Sequence, residues 1–67
     1  MKVKRIHGVK CIYLPSWMAD QFEPGQRVIV IIKGRKVIGK VSRNGEKKLI
    51  ILPRFIQEGD EVTHVDV

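Results

Sequence analysis

Along most of this chain apolar and polar residues alternate with a period of two. "KVKRI" sets Val3 between Lys2 and Lys4, "KCIYL" is rich in β-forming residues, and "KVIGKVS" puts Val37 and Val41 on one face with Lys36 and Lys40 on the other. "HG" between the first two segments predicts a hairpin turn. "RVIVIIK" reads as a strand apolar on both faces, joined through "GRK" to "KVIGKVS", and "RNG" predicts a tight turn before "KKLIIL". The last strand is predicted in "EVTHVDV". Helical spacing occurs once, where "SWMADQF" follows Pro15 with Trp17, Met18 and Phe22 on helical repeats and Pro24-Gly25 as a stop. The predicted order is ββαβ followed by ββ, a turn and β, a mostly β single domain over residues 1–67 with one short helix.

The pattern repeats. Lys10 to Met18 align without a gap with Lys48 to Ile56, pairing Ile12 with Ile50, Leu14 with Leu52, Pro15 with Pro53 and Trp17 with Phe55. Gly25 then matches Gly59, although the second copy is shorter by four residues, about one helical turn. Two halves, 1–34 and 35–67, follow, and Leu14 and Leu52 are expected to occupy equivalent buried places. Trp17 and Phe55, each two residues after a leucine-proline step, are expected to plug the core.

Composition narrows the class. The chain has 67 residues, near the size at which one core only just offsets chain entropy, and apolar side chains on both faces of two strands predict a second copy as cover, a homodimer or larger. One cysteine makes an internal disulfide impossible, and no Cys/His set has zinc spacing, so neither metal nor cofactor is expected. The longest apolar run, "VIVII", is far short of the roughly 20 residues of a membrane span, and a soluble cytoplasmic protein is expected. The formal net charge is +6. Residues 33–48 hold seven basic residues and one acidic one, which equals the whole excess, whereas Glu58, Asp60, Glu61 and Asp66 make the C-terminal end acidic. Such segregation favours a polyanionic partner.

No catalytic constellation is visible: His7 and His64 lie in different halves, and Ser16 and Ser42 have no base set beside them by local sequence. Cys11 reads as a small buried apolar residue, His64 as a surface strand residue, and Glu58, Asp60 and Glu61 as acceptors at a turn. An enzyme is not expected. The basic residues offer more. Lys36 and Lys40 share a strand face, and with Arg43, Lys47 and Lys48 around the Asn44-Gly45 turn and Arg54 past Pro53 they form a hairpin able to lay cations along phosphates. Lys4, Arg5 and Lys10, with Lys2, hold comparable places in the first half, where Ser16 stands in for Arg54.

A strand, a glycine turn, a strand ending in leucine-proline, a short helix and a Gly-Asp-x-Val step resemble the SpoVT/AbrB family, which includes MazE. Residues 37–67, "VIGKVSRNGEKKLIILPRFIQEGDEVTHVDV", are most similar, and "EGDEV" resembles the Gly-Asp box of the wider cradle-loop barrels. "PGQRV" is a degraded box with Gln26 in place of the aspartate. The resemblance implies a small barrel of two ββαβ-like halves, either an AbrB-like swapped-hairpin barrel or a cradle-loop barrel within one chain. It also implies that the basic hairpin and the residue after leucine-proline meet duplex DNA. The second helix is almost absent and the family's long basic helix is missing. The expected function is a DNA-binding transcriptional regulator or antitoxin-like repressor. The alternatives are a protein-interaction module with a partner such as a toxin, and an RNA-binding small barrel, for which Tyr13 is the one candidate exposed aromatic.

Overall fold

The computed structural model describes residues 1–66; Val67, the last residue of the second repeat, lies outside them. Six strands, β1 (Lys4–Ile6), β2 (Val9–Tyr13), β3 (Arg27–Ile32), β4 (Arg35–Asn44), β5 (Lys47–Ile51) and β6 (Val62–Asp66), form one antiparallel sheet in the order β1-β2-β5-β4-β3-β6. A single helix, α1 (Ser16–Ala19), lies between β2 and β3. The edge strands are tied together at one end: Lys2 bridges Glu61, the Val3 amide donates to the Asp60 carbonyl at 2.8 Å, and the Val62 amide donates to the Met1 carbonyl at 2.7 Å.

Strand alternation directs the core. Val28, Val30 and Ile32 of β3, Val37 and Val41 of β4, Ile12 of β2 and Ile50 of β5 all point inward, and Val3, Leu14, Phe22, Leu52, Ile56, Val62 and Val65 join them in the apolar interior. Lys36, Lys40 and Ile38 alternate outward on β4, as the sequence pattern requires. Gly39 occupies an inward position between Val37 and Val41, and a Cβ there would run into Cγ2 of Ile50. The two-residue loop Lys33–Gly34 has φ of 51° and 76°, the left-handed pair whose twist suits a hairpin. The turn therefore comes one residue before the "GRK" expected to form it, and Arg35 and Lys36 already pair in β4.

The helix is shorter than "SWMADQF" predicts. Met18 and Ala19 donate to the Pro15 carbonyl at 2.9 and 2.8 Å, but Gln21 and Phe22 bond only three residues back, to Met18 and Ala19. The last turn is thus tightened and the chain peels away, letting Phe22 drop into the core. Trp17 and Phe55 correct a second expectation. They are 70% and 64% exposed, because Met18, Ala19 and Phe22 on one side and Ile56 on the other fill the apolar space beneath them.

The repeated phrase has a shared geometry. β2 pairs with β5 so that Ile12 opposes Ile50, Cys11 opposes Ile51 and Tyr13 opposes Leu49. Exchanging each residue for its counterpart 38 positions away reproduces the same three pairs, so a pseudo-twofold axis passes through the Ile12–Ile50 pair. The Leu14 amide donates to the Lys48 carbonyl at 3.0 Å, and the Leu52 amide donates to the Lys10 carbonyl at 2.9 Å. The Val41 amide donates to the Gln26 carbonyl and its carbonyl accepts from the Gly25 amide, just as the Val3 amide donates to the Asp60 carbonyl and its carbonyl accepts from the Gly59 amide. Thr63 is an extra residue where the β3–β6 register shifts, and it leaves Val30 opposite Val65.

Candidate nucleic-acid interface

The loops of the β1–β2 and β4–β5 hairpins precede β2 and β5, which are antiparallel neighbours, so the loops project from opposite ends of the sheet. Each hairpin sets an arginine directly opposite a lysine: Arg5 faces Lys10, and Arg43 faces Lys48. Like charges in that relation oppose folding. The lysines relieve it by reaching to main-chain oxygens. Lys48 Nζ donates to the carbonyls of Ala19 at 3.0 Å and Phe22 at 2.9 Å, closing the C-terminal end of α1. Lys10 Nζ donates to the Arg54 carbonyl at 3.1 Å in the equivalent turn of the second half. Both lysines are half-buried and committed to holding a turn, while Arg5, Arg43 and Arg54 are exposed.

At the β4–β5 end the structure gathers Lys4, Arg43, Lys47 and Lys48 around a cleft of about 650 Å³ that also includes Tyr13, Asp20 and Glu46. Lys47 Nζ stands 5.5 Å from the Tyr13 ring centre, and Asn44 Nδ2 donates to the Tyr13 hydroxyl at 3.4 Å. Tyr13 is half-buried between these neighbours. Arg5, Lys10 and Arg54 belong to the other end, and the structure does not bring them to this cleft. Lys40 lies on the outer sheet face in one cross-strand row with Lys4, Cys11, Ile51 and Arg27. Lys36 is farther out, about 23 Å of strand from Arg43.

Among the described residues, the ion pairs are Lys33 with Asp60 at 3.1 Å and the N-terminal ammonium with Glu61 at 3.0 Å. None of the ten basic residues named for the hairpins and their counterparts in the sequence takes part. The Lys33 ammonium, hydrogen-bonded to Asp60, and the Gln57 amide hold the Asp60 carboxyl below its ordinary pKa against the opposing effect of desolvation. Burial raises the Cys11 thiol pKa, although the nearby Lys4 opposes this. Cys11 is therefore a buried thiol, and among the described residues no group of three or more His, Cys, Asp or Glu could hold a metal ion. No described helix is long and apolar enough to cross a membrane.

Two features escape the sequence reading. On the outer sheet face, beside Ile29 and Ile51 that the two-faced apolar runs of β3 and β5 already place there, Val9 and Ile38 are also exposed, Ile38 to 66%, and the alternation in "KVIGKVS" was the available signal for Ile38. The exposure of Trp17 and Phe55 had no local signal. Comparison of the chain with protein-family models, curated proteins and solved structures finds no match.

Proposed function

We propose that this chain is a DNA-binding module, an AbrB-like regulator or repressor that grips duplex phosphates through its basic hairpins. The observation that carries the reading is the paired arrangement of Arg5 with Lys10 and Arg43 with Lys48. A sheet that keeps two like-charged cross-strand pairs, with the arginines exposed and outside any ion pair among the described residues, suits an external anion. Arg43, Lys47 and Lys4 are the first contacts, and Arg5 and Arg54 serve the opposite end. Lys36 and Lys40 extend the field along the outer face, whereas Lys10 and Lys48 act by holding the turns.

In this reading the bonds between residues 1–3 and 59–62 close the sheet into a small barrel within one chain, in the manner of a cradle-loop barrel rather than a swapped one. A second copy covers Ile29 and Ile38. A twofold operation about that pair lays the β6 side of one copy, with Asp66, across the β4 side of the other, with Lys36 and Lys40. Light scattering showing only a 7.7 kDa species at micromolar concentration would remove the dimer from the proposal.

The test of DNA binding is a labelled duplex titrated at several salt concentrations. With about six phosphates neutralised per dimer, log affinity falls against log salt with a slope of about −5. Arg43→Glu with Lys47→Glu abolishes binding, and Glu58→Lys leaves it intact or strengthens it. Equal losses from both, or no duplex binding by the unaltered protein at low salt, would instead favour a protein-interaction module. The exposed apolar face around Ile38 favours that second reading.

A further inference from the structure

A second cleft lies between the β3–β4 hairpin and the turn at 53–60, away from the basic hairpin tips. It is an open cleft of about 400 Å³, within the range of small-ligand sites. Its floor is apolar, formed by the buried side chains of Ile32, Val37 and Ile56. One wall is Phe55, a residue that remains 64% exposed beside this space. Arg35 and Gln57 stand at the rim, where the Lys33–Asp60 ion pair pins the hairpin to the turn. An exposed aromatic face, an amide able both to donate and to accept, and a guanidinium are complementary to three parts of one ligand.

We infer that this cleft binds a planar heteroaromatic ring bearing a phosphate, as in a nucleotide. The ring stacks on Phe55, its polar edge meets the Gln57 amide, and the phosphate meets Arg35. Lys33 is already engaged by Asp60, and Arg35 makes no ion pair among the described residues, which assigns the phosphate to Arg35. The equivalent ring of the first half, Trp17, does not line either cleft. The hairpin that shelters Phe55 joins the two halves and leans on the second one, so the pseudo-symmetry does not duplicate the site. None of the lining residues is assigned to the proposed duplex-binding surface, although Lys36 and Arg54 of that surface are their chain neighbours, and the site does not depend on that reading.

The ligand's chemistry is common to a free nucleotide and to an unpaired nucleotide in a single strand. Isotope-labelled full-length protein is therefore titrated by NMR with adenosine monophosphate and, separately, with a short single-stranded deoxyadenosine oligomer. Amide shifts are expected within 33–37 and 55–60. Phe55→Ala, the loss of an exposed ring, should weaken binding about tenfold or more while leaving the spectrum folded. Arg35→Gln should remove the preference for adenosine monophosphate over adenosine, and Trp17→Ala should change neither. Binding of the monophosphate assigns a free nucleotide, and binding of the oligomer alone assigns a strand. Arg43→Glu with Lys47→Glu should leave monophosphate binding unchanged, so this site and the duplex surface can fail independently. No shifts with either ligand at millimolar concentration, shifts confined to the β4–β5 tip, or equal losses from Trp17→Ala and Phe55→Ala would overturn the assignment.

Discussion

Between Pro15 and Gly25 the first half builds a one-turn helix, whereas between Pro53 and Gly59 the second half makes a bare turn, yet the two segments enter and leave the sheet in the same way. The Met18 amide bonds to the Pro15 carbonyl at 2.9 Å, and the Ile56 amide bonds to the Pro53 carbonyl at 3.2 Å. At the far end Gly25 and Gly59 have φ of 90° and 91°, a conformation open to glycine and strained for other residues. Gln26 Oε1 accepts from the Glu23 amide at 3.0 Å, as Asp60 Oδ2 accepts from the Gln57 amide at 3.2 Å. The "PGQRV" segment therefore does the same main-chain work with a neutral amide. Four residues can be lost because the backbone bonds at both ends survive. What changes is the filling: Met18 and Phe22 cover the first half, and Ile56 covers the second.

The equivalence of the two halves rests most heavily on the two leucines. Leu14 and Leu52 are 7% and 5% exposed and occupy equivalent places, so Leu→Ala at either should cost about 2–5 kcal/mol in chemical denaturation. Similar losses are expected, and a neutral result at one site would break the equivalence. Next in size is Gly39→Ala, which sets a methyl against Ile50, one member of the axial pair, and should cost about 1–3 kcal/mol. An unchanged melting curve would mean that β4 can move away from β5 without loss.

The two turn-holding lysines differ between the halves. Lys48→Met removes a half-buried ammonium from two carbonyls and should cost about 1–2 kcal/mol. Lys10→Met removes one bond at a more open site and should cost less, because only the first half has a helix end to close. Equal costs in a thermal melt would place the two turns on the same footing.

The smallest difference is in pH dependence. Asp60 has its folded pKa lowered, first by the Lys33 hydrogen bond, so its contribution is present above the ordinary aspartate range and is lost as pH falls through the depressed folded value. Gln26, its counterpart, does not titrate. NMR titration should find the Asp60 midpoint below that of an ordinary aspartate, and Lys33→Ala should raise it. A midpoint unmoved by Lys33→Ala would show that the Gln57 amide alone holds the carboxylate.

Much of the fold was legible because its signals are local. Alternation in "KVIGKVS" identifies Val37 and Val41 as inward and Lys36 and Lys40 as outward, which is how β4 lies. The repeated Leu-Pro phrase places Leu14 and Leu52 in equivalent buried positions. The candidate site was legible only as a set of cations. That Lys10 and Lys48 turn back onto carbonyls depends on which turn packs above each hairpin, a relation between residues 26 to 44 positions apart.

The sequence alone therefore determined strand faces, the presence of each turn to within a residue, the basic middle and acidic end, and the two-part plan, because period, glycine placement and charge act over a few residues. The tertiary structure decided the strand order, which seats β2 beside β5 and makes Ile12 and Ile50 the axial pair. It also decided the fate of the aromatics. Trp17 and Phe55 carry the apolar area of core residues, but the space beneath each turn is finite and Phe22, Met18 and Ile56 occupy it first. Close packing leaves no room for another ring, so both are left in solvent.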